Sequence, residues 1–138
     1  MSSQTAKSVA VTEAFTQLEA RPFRRAGMAL DLVYLARQSL GDKKLETELL
    51  ALFDRQSGQV IERLTHIKPD ADPQWPRDLA HTLTGSARAV GAHGVAAASQ
   101  AYEAMLGQSY EPAALATALQ ILAEEVEIAR ACIRDVLA

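Results

Sequence analysis

A histidine stands four residues ahead of a glycine in HTLTGSARAVGAHG, residues 81–94, and this pair is the part of the sequence best suited to chemistry. A neutral imidazole is a nucleophile that forms covalent intermediates. Gly85 is unexpected in an alanine-rich helical segment, because glycine inside an exposed helix costs about 1 kcal/mol relative to alanine. A missing side chain does, however, let the backbone of another molecule come close. His81 and Gly85 together therefore indicate a nucleophile with a clear approach for a partner.

The helix that carries His81 can be oriented from its apolar residues, at about 100° per residue. One side of it is formed by Leu79, Leu83, Ser86 and Val90. His81 lies opposite the centre of that side, so its side chain is predicted to face solvent. The same outer face is predicted to carry Arg77, Thr84, Gly85 and Arg88. A surface histidine taken alone usually has no role, and the nearby glycine is what favours a functional one.

Composition predicts that packed helices hold this segment in place. The chain has 138 residues, of which 49% are hydrophobic, and this is enough for one domain with a single core. Aromatic residues make up only 5%, and most apolar residues are Ala, Leu and Val, which favours helices over a strand-rich sheet. We therefore expect an all-α domain.

Glycines and prolines divide the first half of the chain. Residues 1–27 are expected to form an N-terminal extension, partly helical or flexible, and residues 28–40 a short first helix that ends at Gly41. Asp42 is a candidate N-cap for a long second helix. The apolar face of that helix is predicted from Leu45, Leu49, Leu52, Phe53, Val60, Leu64 and Ile67.

Three more helices are predicted in the second half. One runs from about Pro76 to Val90, one follows a turn at GAHG and ends near Gly107, and the last starts at Pro112. Four long helices with short connections are most simply buried as an antiparallel four-helix bundle, here over residues 28–138. The short additional N-terminal helix would cap one end of this bundle.

Charge and cysteine content exclude several classes of protein. The 14 basic residues are scattered and are balanced by 17 acidic ones, so we expect no nucleic-acid partner. No run of eighteen apolar residues and no basic leader is present, so we expect a cytoplasmic protein without a membrane contact. Cys132 has no second cysteine to pair with and is predicted to be buried. No extra apolar stripe is obvious, and we expect a monomer.

The segment AHTLTGSARAVGA, residues 80–92, resembles the signature of histidine-containing phosphotransfer (HPt) domains, which is His-x-Leu-Lys-Gly-Ser followed by Gly-Ala. GDKKLETELLALFDRQ, residues 41–56, is similar to the start of the family's second helix. The similarity extends over about residues 28–137, although only the histidine segment is specific. It implies a four-helix bundle that carries a phosphoryl group on one exposed histidine.

The resemblance gives individual residues a role. His81 becomes the phosphoacceptor, and Gly85 the clearance for the active site of a partner. Glu103, in AYEAM at residues 101–105, corresponds to a residue beside the histidine, and we expect it to face His81 across the groove between two helices. An ordinary solvated glutamate is the alternative interpretation.

One residue departs from the family pattern, because Thr84 stands where a lysine is expected. A threonine hydroxyl offers one neutral donor, whereas a lysine would offer a positive charge to phosphoryl oxygens. Arg88, two turns along, or Arg77, one turn back, could supply that charge. Each is also explained as a solubilising surface arginine.

The implied function is a relay between proteins. A receiver domain bearing phosphoaspartate, within a hybrid sensor kinase, would donate the phosphoryl group, and a response-regulator receiver would accept it. Such a carrier binds no cofactor of its own, since the receiver supplies Mg²⁺. It needs no ATPase or autokinase activity, and the sequence contains no Gly-rich nucleotide loop or kinase motif.

Two other functions remain open from the sequence. A metalloprotein or hydrolase would use His66, His81 and His93, but no pair of these has metal-ligand spacing on one helical face. A non-phosphorylated scaffold that only binds receiver domains is the stronger alternative. This alternative stays open because position 84 is a threonine and not the lysine of the family pattern.

Overall fold

The computed structural model describes residues 29–67, 72 and 74–138, and the regular elements in these ranges are α-helices. They are α1 (Leu32–Gln38), α2 (Lys43–Thr65), α3 (Gln74–Val90), α4 (His93–Leu106) and α5 (Pro112–Leu137). The all-α prediction is therefore confirmed. The extension predicted at residues 1–27 lies outside the described residues.

Helices α2 to α5 surround one core. Each contacts the next along the chain, and α2 also contacts α5, so the four close into a ring, while α1 packs against α3. The short connections make consecutive helices antiparallel. The largest fully buried side chains come from all five helices and include Leu35, Leu50, Leu64, Leu83, Tyr102, Leu122 and Ile133. The predicted four-helix bundle with one short additional helix is confirmed.

Two aspartates and a glycine set the ends of α1 and the start of α2. The carboxylate of Asp31 accepts a hydrogen bond from the amide of Tyr34 at 2.9 Å, and that of Asp42 accepts one from the amide of Leu45 at 3.1 Å. These are N-caps, which satisfy amides that lack an intrahelical partner. Because Asp31 is the cap, α1 begins later than the predicted residue 28. At its other end α1 stops at Gln38, earlier than the predicted residue 40, because the left-handed turn starts at Leu40 with φ 55° and continues through Gly41 with φ +78°.

The connection between α3 and α4 is tighter than predicted. Gly91 has φ +77°, and a Cβ on it would lie 2.7 Å from the carbonyl oxygen of Asp31. This single glycine turns the chain, so His93 is the first residue of α4 rather than part of the turn. The Asp31 amide donates to the Gly91 carbonyl at 2.9 Å, which fastens the start of α1 to the same turn.

The apolar face predicted for α2 is partly wrong. Leu45 and Leu52 are 39% and 40% exposed, whereas the buried positions of the helix are Leu50, Phe53, Ser57 and Leu64. Helical periodicity gives the approximate face, but the neighbouring helices decide which edge of it is covered. Cys132 is buried as predicted, and burial raises the pKa of its thiol.

Candidate functional site

His81 on α3 and Glu103 on α4 face each other across the groove between the two helices. The imidazole Nδ1 lies 3.2 Å from Glu103 Oε2 and 3.3 Å from Oε1. The histidine side chain is 78% exposed and that of the glutamate 25%. The exposure of His81 agrees with the angular argument from the sequence, and Glu103 faces it across the groove as expected from the resemblance.

The contact with Glu103 gives the two ring nitrogens of His81 different functions. An ionised carboxylate only accepts hydrogen bonds, so the imidazole donates from Nδ1–H, and in its neutral form the ring then keeps its lone pair on Nε2. The outward-facing neutral ring then presents its unprotonated nitrogen to solvent. A nucleophile held in one orientation by a second group is the arrangement that covalent catalysis uses.

An open groove of about 370 Å³ surrounds the histidine. All six residues singled out from the sequence line it, namely Arg77, His81, Thr84, Gly85, Arg88 and Glu103. Gln100 and Ala104 of α4 complete the lining. The structure therefore brings the candidate residues together, while their roles stay predictions.

Gly85 is exposed, and a Cβ built on it would meet no atom of the described chain within 4 Å. Close packing inside this protein therefore does not explain the glycine. By contrast, a Cβ on Gly91 would collide with Asp31. An open surface one turn from His81 fits the clearance interpretation.

Thr84 does not lie on the outer face, and the prediction that placed it there is wrong. It is only 4% exposed, and its hydroxyl donates to the carbonyl of Ala80 at 2.9 Å and lies 2.7 Å from Ser99 Oγ. The reason is that α4 covers this edge of α3, so Thr84 forms the inner wall of the groove. Its hydroxyl proton already has a protein acceptor.

Two residues at this interface were missed by sequence reasoning. Ser99 is fully buried and bridges α4 to Thr84, and its signal was a hydroxyl in the middle of the apolar run VAAASQAY. Gln100 accepts a hydrogen bond from Arg88 Nη2 at 3.1 Å. No sequence signal marks Gln100, because its partner is on another helix.

The two candidate arginines occupy different environments. Arg88 is exposed and bonded to Gln100. Arg77 is half-buried, and its Nε is fully buried without a hydrogen-bond partner in the described chain. Its guanidinium lies beside Gly107, where a Cβ would be 3.3 Å from Nη2.

The other two histidines lie elsewhere in the molecule. His66 Nδ1 is 2.8 Å from the carbonyl of Glu62 at the end of α2. His93 Nε2 is 3.2 Å from Asp31 Oδ2, and the Tyr34 amide and this histidine hold the pKa of the Asp31 carboxyl below its ordinary value. In the ranges that the structure covers, no three His, Cys, Asp or Glu side chains gather into a metal site.

None of the helices described above is both long and apolar enough to cross a membrane.

Comparison with known proteins links this site to a family. A family model described as Hpt domain matches residues 48–132, a segment that contains His81, Gly85 and Glu103. A solved structure described as a histidine-containing phosphotransfer protein from rice is similar over 97% of this chain and 93% of that one, with a TM-score of 0.69 and 17% identity. At that identity the likeness shows a shared fold. No curated protein matches the chain.

Proposed function

We propose that this chain, which belongs to the Hpt domain family, receives a phosphoryl group on His81 and passes it to another protein. Members of this family are phosphotransfer carriers in two-component signalling rather than enzymes, and they interact with receiver and kinase proteins. The observation that carries the proposal is the pairing of His81 Nδ1 with Glu103, which leaves Nε2 free in an open groove.

The donor in this proposal is a receiver domain that carries phosphoaspartate, as in a hybrid sensor kinase. The Nε2 lone pair forms the new N–P bond while the P–O bond of the acyl phosphate breaks, and the electron pair of that bond leaves with the aspartate carboxylate. The Nδ1 proton stays between the ring and Glu103, which offsets the positive charge that the ring acquires. Transfer to a response-regulator receiver is the reverse of this step.

Phosphoryl transfer relies on positioning and charge neutralisation, and much of both can come from the partner. We propose that the receiver brings the Mg²⁺ and that this chain has no resident cofactor, ATPase or autokinase activity. Gly85 supports close docking, because the reacting atoms must approach within about 3.5 Å. We propose further that the protein is cytoplasmic and acts as a monomer.

The proposal is tested by transfer from radiolabelled receiver domains to wild type and to His81→Gln. We expect label on wild type and none on His81→Gln, with equal helicity by circular dichroism. His66→Gln and His93→Gln are matched controls, since neither residue lines the groove, and both should be labelled normally. Label that survives on His81→Gln contradicts the assignment.

A scaffold that binds receivers without accepting phosphate is the second candidate. It is favoured by one observation, which is that the buried Thr84 hydroxyl stands where the family pattern has a lysine. The same experiment separates the two functions. Receivers that bind wild type without transferring label support the scaffold.

A further inference from the structure

We infer that Arg77 binds the phosphoryl oxygens at His81 and supplies the positive charge of this site. This inference rests on the proposed function. Arg77 and His81 are four residues apart on α3 and line the same groove. Side chains at this spacing are direct neighbours on a helix surface.

Arg77 keeps a hydrogen-bond donor that no described residue satisfies. Its Nε is buried and has no acceptor among the residues that the structure describes. Buried donors without a partner are rare in folded proteins and call for an explanation. A guanidinium has five N–H donors in a planar fork, and this geometry matches two oxygens of a phosphoryl group.

Arg88 is a weaker candidate for the same role. It is seven residues from His81, or about 10 Å along the helix axis, compared with about 6 Å for Arg77. Its guanidinium is exposed and already bonded to Gln100. Exposed charges are screened by solvent and salt, whereas the half-buried Arg77 acts through a lower effective dielectric.

Gly107 makes room for the guanidinium of Arg77. A Cβ on this glycine would lie 3.3 Å from Nη2 and 3.5 Å from Cζ. The backbone of Gly107 has φ −83°, which any residue can adopt, so the turn itself does not require glycine. A methyl group at position 107 would therefore shift the guanidinium by a few tenths of an ångström without removing its charge.

Arg77 could also have a purely structural role, which the experiment must distinguish from binding of the phosphoryl group. A cation beside the end of α4 also stabilises the C-terminal end of a helix dipole. That role predicts a loss of thermal stability in Arg77 variants without a change in the rate at which folded protein is phosphorylated. Binding to the phosphoryl group predicts a change in that rate.

The test uses phosphoramidate, a small donor that brings no protein cations of its own. Nε2 of His81 forms the N–P bond while the P–N bond of phosphoramidate breaks, and its electron pair leaves with ammonia. The rate of phosphohistidine formation is measured at fixed salt for wild type, Arg77→Ala, Arg77→Lys, Arg88→Ala and Gly107→Ala. Melting temperatures are recorded for each variant, so that rates are compared on folded protein.

We expect Arg77→Ala to be slower than wild type by about ten-fold or more, as for loss of a charged hydrogen bond. Arg77→Lys should recover part of the rate, Gly107→Ala should be slowed slightly because it shifts the guanidinium, and Arg88→Ala should be slowed less than Arg77→Ala. In the double variant, Gly107→Ala should add nothing to Arg77→Ala, since both act on one guanidinium.

Equal rates in wild type and Arg77→Ala overturn the inference, and so does a larger effect from Arg88→Ala. If Arg77→Ala does not fold, Arg77→Gln decides, because it keeps most of the side-chain stem and removes the charge, and a wild-type rate in that variant contradicts the role of Arg77. Failure of the proposed function is distinct from these outcomes. In that case wild type itself is not labelled on His81 by phosphoramidate or by any receiver.

Discussion

Substitution of Thr84 by lysine, the residue of the family pattern, is expected to destabilise the bundle. Thr84 is buried between α3 and α4, and its hydroxyl joins the carbonyl of Ala80 to Ser99 Oγ at 2.9 and 2.7 Å. A lysine removes this bridge and brings a longer side chain into a packed contact. Its ammonium group can avoid burial only by extending along the groove toward solvent.

The size of the effect follows from these contacts. Loss of the buried hydrogen bond costs about 1 kcal/mol, and overpacking costs about 1–3 kcal/mol. The sum is about 2–4 kcal/mol, provided that the ammonium reaches solvent and the much larger cost of a buried charge is avoided. For a domain of this size, 1 kcal/mol corresponds to about 3–5 °C, so Thr84→Lys should melt roughly 10 °C below wild type.

Thermal unfolding followed by circular dichroism checks this prediction. Thr84→Val keeps the shape but loses the hydroxyl and should cost only the hydrogen-bond part, about 1 kcal/mol. Thr84→Ser keeps the hydroxyl and should cost about 0.8 kcal/mol for the lost methyl group. A Thr84→Lys variant that melts at the wild-type temperature would refute the reasoning, because Thr84 would then not be confined at the helix interface.

Two further variants test other parts of the molecule. Gly85→Arg should keep or raise the melting temperature, because a Cβ there meets nothing within 4 Å and arginine favours a helix. The same variant should no longer bind a receiver domain, as measured by calorimetry. Unfolding of the variant or normal binding would each contradict the clearance interpretation of Gly85. Asp31→Asn should lower stability near neutral pH, because a carboxyl with a pKa lowered from 3.8 stabilises the fold above that value and loses this contribution as pH falls through its folded-state pKa. The difference in unfolding free energy between the variant and wild type, measured by urea titration, should therefore vanish in acid. A difference that does not depend on pH would contradict this prediction.

Features of the site that depend on one helix alone were predicted correctly from the sequence. The outward direction of His81 and the open surface at Gly85 follow from helical periodicity on α3 alone. Glu103 was reached through the family resemblance, and the structure places it within 3.2 Å of the histidine. Distances between two helices depend on their register, which a single sequence pattern does not contain.

The burial of Thr84 could not be predicted from the periodicity of α3 alone. By angle it lies at the edge of the apolar side of α3, and the edge that becomes buried is decided by where α4 packs. Leu45 and Leu52 of α2 show the reverse error, since both were assigned to the core and both are exposed. The start of α1 was predicted four residues too early for a local reason, because the capping carboxylate of Asp31 fixes the first turn of this helix at Leu32.

The buried hydrogen bond between Thr84 and Ser99 also links the missing lysine of the family pattern to the geometry of the site. Thr84 lies three residues after His81, and Ser99 lies four residues before Glu103, so the two pairs are one turn apart across antiparallel helices. A hydrogen bond of 2.7 Å between two short side chains requires the helices to approach closely at one register. That register is the one that places Glu103 opposite Nδ1. A lysine at position 84 would supply a charge but would separate the helices, and Arg77, one turn on the other side of His81, supplies a charge without disturbing this contact.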